Sequence, residues 1–105
     1  MKKVYNKLVR DKIPDIIKES GAHCMYHVAT GAELEEALLN KLLEEVNEFI
    51  EDPCAEEMAD IQEVLWSIQE FFKLSEYDLM TTINTKSNER GSFSQGIILE
   101  HVSDN

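Results

Sequence analysis

The stretch Leu42–Leu65, LLEEVNEFIEDPCAEEMADIQEVL, constrains what this chain can fold into more than any other. It holds two acidic clusters, Glu44-Glu45-x-x-Glu48 and Glu56-Glu57-x-x-Asp60, on either side of an Asp52-Pro53 break. Each cluster lies inside a run of apolar residues at helical spacing. Carboxylates on a packing face cost free energy unless something positive neutralises them, so the pattern demands both a helical hairpin and a counter-charge.

Residues three and four apart share one face of a helix. In the first long helix the apolar stripe is Leu34, Ala37, Leu38, Leu42, Val46 and Phe49. Advancing about 100° per residue puts Glu45 near its middle and Glu48 at its edge, with Glu44 and Glu51 outside. In the second the stripe is Ile61, Val64, Leu65, Ile68, Phe71 and Phe72, with Glu57 near its middle and Asp60 at its edge. If the two helices pack antiparallel through a short turn, Glu45, Glu48, Glu57 and Asp60 meet at one level. Four converging carboxylates repel one another, and a divalent cation resolves the repulsion. An all-oxygen ligand set favours a hard ion, Mg²⁺ first and Mn²⁺ second. Neither cluster has the Glu-x-x-His pair of a di-iron bundle. The plainer reading of a single EExxE is a solvated acidic helix face; two clusters in register on consecutive stripes favour a site.

At 105 residues the chain is expected to form one domain, 1–105, with one modest core. No apolar run is long enough to span a membrane, and Met1-Lys2-Lys3 leads into no signal-peptide core, so the expected location is the cytoplasm. Cys24 and Cys54 read as free thiols in small packing positions. A net charge of −11 argues against a nucleic-acid polymer as partner. Residues 1–18 nevertheless carry six of the ten basic residues, Lys2, Lys3, Lys7, Arg10, Lys12 and Lys18. An acidic body with localised cations suits a small anionic ligand bridged by metal.

The fold expected is mainly all-α, with a small β element. The opening is extended, and Pro14 starts a short helix, Asp15 to Ser20, closed by Gly21. His23 to Ala29 reads as a strand, and Thr30-Gly31 turns into the first long helix, about Ala32 to Glu51. The second runs from about Cys54 to Phe72. Ser75 is an N-cap for a third, with Asp78 in its first turn, ending near Asn88 to Gly91. Ile97 to Leu99 is a short strand able to pair with His23–Ala29. Broad apolar faces on so short a chain call for a second copy, giving a four-helix bundle from two chains: a homodimer or dimer of dimers.

Lys86 and Arg90 form an i, i+4 pair at the end of the third helix, suited to phosphate oxygens. The plainer reading is a helix C-terminus decorated with cations. Lys7, Arg10 and Lys12 are also within the class of phosphate ligands, against the alternative of an exposed basic segment. Asp78 reads as first-turn stabilisation. His23, His27 and His101 lack ligand spacing, and Trp66, opposite the carboxylate stripe, reads as core.

Together, EExxE, ExxD and a downstream basic pair resemble the all-α nucleoside triphosphate pyrophosphohydrolases, the MazG-like and phosphoribosyl-ATP pyrophosphohydrolase-like superfamily. The opening Tyr5-Asn6-Lys7-Leu8-Val9-Arg10-Asp11-Lys12-Ile13-Pro14 and the later Glu89-Arg90-Gly91-Ser92-Phe93 resemble its house-cleaning subgroup. Ser92 stands where that subgroup usually has a second Gly. The resemblance implies Mg²⁺-dependent hydrolysis of a nucleoside triphosphate between its α- and β-phosphates, giving the monophosphate and pyrophosphate. It implies Glu45, Glu48, Glu57 and Asp60 as metal ligands and Lys86 and Arg90 as holders of the triphosphate. Glu48, at the stripe's edge, is the candidate to activate the attacking water, with Glu45 beside it. The competing expectations are a phosphoribosyl-ATP pyrophosphohydrolase of histidine synthesis and a non-enzymatic helical interaction module.

Overall fold

A computed structural model describes residues 2–104. Four helices follow one another: α1 Ile13–Glu19, α2 Gly31–Glu51, α3 Ala55–Phe71 and α4 Glu76–Arg90. The chain divides into two compact units, one ending at Lys73 and the other beginning at Leu74. In the first unit α2 and α3 pack on each other as a hairpin through the three-residue link Asp52–Cys54. Pro53 forces the break, because its ring disfavours helical backbone at the residue before it, and Asp52 accordingly leaves the helix at φ −144°. Cys54 is extended, and α3 then starts with Glu56 and Glu57 in its first turn, where the helix dipole favours negative charge. Pro14 sits in the first turn of α1 as expected. In the second unit the Ser75 Oγ accepts a hydrogen bond from the Asp78 backbone N–H at 3.0 Å, so Ser75 is the N-cap of α4 and Asp78 its first-turn acid.

The expected β element does not form: among the described residues there is no strand. His23–Ala29 and Ile97–Leu99 have strand-like composition, but a strand exists only through its ladder, and neither segment has one. Their side chains are correspondingly exposed, Met25, Val28, Ile97, Ile98 and Leu99 among them. No described helix is long and apolar enough to cross a membrane. Cys24 and Cys54 are free thiols, exposed and half-buried respectively.

The stripes on α2 and α3 are wider than what the hairpin covers. Leu38, at 4% exposure, is the one apolar residue fully buried among the described residues. Val46, Leu65 and Phe72, expected in the packing face, are exposed, as is Trp66 at 55%. Two helices bury a single seam between them, and residues flanking that seam stay open unless another element lies on them.

Candidate metal centre

Glu45 on α2 and Glu57 and Asp60 on α3 each offer a carboxylate oxygen within 4.8 Å of the others. Glu45 is only 8% exposed, and Glu57 and Asp60 are half-buried. The seam of the hairpin therefore carries acid where a core would carry leucine. Glu45 lies one helical turn before Phe49, and Glu57 and Asp60 share one face of the first turns of α3, so the short link brings them level. The donor set is all oxygen, which is the chemistry of a hard divalent cation.

Glu48, the fourth acid of the sequence pattern, is exposed and lies outside that tight group. Its charge still acts on Glu57. Loss of hydration, followed by the negative charges of Glu48, Asp60, Glu45 and Asp52, pushes the Glu57 carboxyl above its ordinary range.

Cations belonging to the chain already lie on two of the three acids. Lys41, 16% exposed, places Nζ 3.3 Å from Glu45 Oε1 and 3.4 Å from Glu44 Oε1. Arg10 donates from Nη2 to Asp60 Oδ1 at 2.6 Å, and its Nη1 lies 3.6 Å from Glu63 Oε1. Lys7 Nζ donates to Glu44 Oε1 at 2.8 Å. This hydrogen bond holds the Glu44 carboxyl below its ordinary range and raises the Lys7 ammonium above its own. Of the three N-terminal cations expected on phosphate, Lys7 and Arg10 thus engage the acidic helices, and Lys12 is exposed at the N-cap of α1. Lys41 and Glu63 were not among the expected site residues. Lys41 was findable, since it stands three and four residues before Glu44 and Glu45 on one helix face.

Beside the acids runs an open groove of about 730 Å³, bordered by Arg10, Leu38, Lys41, Glu45, Asp60 and Phe71 among others. That size falls in the range of small-molecule sites, roughly 300–1,000 Å³. In the second unit Lys86 and Arg90 are exposed on the last turns of α4. Gly91, at φ +83°, ends that helix in a conformation that favours glycine. His27 Nε2 lies 2.8 Å from Glu33 Oε2, a local pairing at the start of α2.

Comparison with known proteins returns no matching family model, no matching curated protein and no matching solved structure.

Proposed function

We propose that the chain is a divalent-cation-dependent nucleoside triphosphate pyrophosphohydrolase of the MazG-like kind, with Mg²⁺ as its ion and Mn²⁺ as a substitute. The observation that supports this reading most is the convergence of Glu45, Glu57 and Asp60 from two helices onto one half-buried spot. Glu45, Glu57 and Asp60 would hold the ion, which supplies charge neutralisation of the triphosphate and polarisation of the α-phosphorus. Glu48, outside the tight group, is the carboxylate to orient a water and take its proton. The water oxygen bonds to the α-phosphorus, the α–β bridging P–O bond breaks, and pyrophosphate leaves with the electron pair. Positioning and charge neutralisation supply most of the rate in such a reaction. Lys12 is the cation of the first unit proposed for the phosphate tail; Lys86 and Arg90, which the family resemblance implies for the same role, belong to the second unit. The apolar residues left open on α2 and α3 support a homodimer, and the substrate class implies a cytoplasmic enzyme.

The test is pyrophosphate release from a panel of NTPs and dNTPs, oxidised ones included, with and without Mg²⁺. Glu45→Gln and Glu57→Gln are each expected to lower the Mg²⁺-dependent rate at least 100-fold, about 2.7 kcal/mol of transition-state stabilisation. An undiminished rate in either variant would falsify the reading. One observation favours a second reading, a non-enzymatic helical interaction module: Lys41 and Arg10 already neutralise two of the three acids. That reading expects no nucleotide turnover and no Mg²⁺-induced rise in melting temperature.

A further inference from the structure

We infer that residues 4–12 form a releasable strap whose Arg10 guanidinium competes with a divalent cation for the Asp60 carboxylate. The inference rests on the cation reading of the acid cluster given above. Two ion pairs tie the segment to both helices of the hairpin: Lys7 to Glu44 on α2 at 2.8 Å, and Arg10 to Asp60 on α3 at 2.6 Å. Between these ties Leu8 is half-buried. No backbone hydrogen bond among the described residues joins residues 4–12 to α2 or α3; those the segment does make, such as Ile13 N–H to the Arg10 carbonyl, are local. Side chains alone therefore hold the strap, and exposed ion pairs of this kind are weak.

The two cations that face the acid cluster differ in what they can do. Lys41 belongs to α2 and is fixed by helical spacing beside Glu44 and Glu45. Arg10 belongs to the strap, so it can leave. Asp60 is both one of the three converging acids and the acceptor of Arg10's short hydrogen bond. A divalent ion on Asp60 meets a guanidinium on the same carboxylate, and like charges at such a distance repel strongly. Entry of the ion accordingly loosens the strap at Arg10, while Lys7 is tied to Glu44, which is not one of the three converging acids. In the absence of the ion, Arg10 is the stand-in that keeps Asp60 compensated.

The full-length protein is titrated with Mn²⁺ by calorimetry, and exchange of the amides of residues 4–12 is followed in EDTA and in saturating Mg²⁺. Arg10→Ala and the milder Arg10→Gln are expected to bind Mn²⁺ roughly two- to fivefold more tightly than wild type. Lys18→Ala, which removes a cation from α1, is expected to leave the affinity unchanged. Mg²⁺ should speed exchange in the strap of the wild type, and both Arg10 variants should already exchange fast in EDTA. Wild type that binds Mn²⁺ with the same affinity as both Arg10 variants overturns the competition and leaves the metal centre standing. Wild type that takes up no more Mn²⁺ than Glu57→Gln removes the metal centre and the inference together.

Discussion

Glu57 is the acid whose titration separates repulsion from ligation. Its carboxyl is raised, first by lost hydration and then by Glu48, Asp60, Glu45 and Asp52. A carboxyl with a raised folded pKa binds its proton more tightly in the fold than in the unfolded chain. Its stabilising contribution is therefore present below the unfolded value and lost as pH rises through the folded one. Glu44 runs the other way: held low by Lys7, it stabilises the fold above the unfolded value, and that contribution is lost as pH falls through its depressed pKa. In EDTA at pH 7, Glu57→Gln is expected to be more stable than wild type, and the gap should close as the pH approaches 4. Saturating Mg²⁺ should reverse the order, since only wild type gains from binding to the folded state. Urea midpoints across that pH range decide it; a gap independent of pH would mean that Glu57 carries no such strain. Three of the four acids read from the 3.6-residue period do converge: the mid-stripe pair Glu45 and Glu57, whose direction the period fixes, and the edge residue Asp60. Glu48 was an edge position, and an edge residue goes to the seam or to solvent depending on the crossing of the helices, which spacing does not fix. Lys7 and Arg10 were legible as cations, but their partners lie 37 and 50 residues away, and no local rule pairs them.

At the scale of elements the hairpin was the legible part. Pro53, Ser75 and Gly91 act within a few residues of themselves, so the boundaries of α2, α3 and α4 follow from local chemistry. The β element was not legible for the opposite reason: alternation in His23–Ala29 sets a propensity, whereas pairing is a tertiary event. The seam itself can be tested at Leu38, which is buried where α2 meets both the groove and α3. Leu38→Ala is expected to cost about 2–4 kcal/mol by denaturant unfolding. The groove on one side lets neighbours collapse partway into the vacated space, which places the value toward the lower half of the range for buried leucines. A loss under about 0.5 kcal/mol would show that α2 is not held through this side chain.

For the whole molecule the question is what one chain can hold together. Among the described residues, one fully buried apolar side chain does little to offset the conformational entropy of ordering about a hundred residues. The apolar residues that remain open are also not scattered. On α2, Leu39, Leu43, Val46 and Ile50 are exposed at spacings of four, three and four, with Leu43 at 64% and Ile50 at 67%. On α3 and its C-cap, Met58, Leu65, Trp66 and Phe72 are exposed, with the half-buried Ile61 and Ile68 completing spacings of three, four, three and four from Met58 to Phe72. Such spacing is the seam of helices that pack lengthwise on other helices, and a self-complementary face on both copies closes a two-fold bundle. In the proposed homodimer folding is coupled to association, and the expected outcome is a melting temperature that rises with protein concentration. Over a hundredfold range of concentration, each tenfold step adds about 1.4 kcal/mol to a two-chain equilibrium, which moves the melting temperature of a chain this size by several degrees. Leu43→Glu sets a charge in the middle of that face. It is expected to raise the dimer dissociation constant at least 100-fold by sedimentation and to lower the melting temperature in step. A melting temperature independent of concentration, with a monomer that unfolds cooperatively, would mean that the chain closes its core without a second copy.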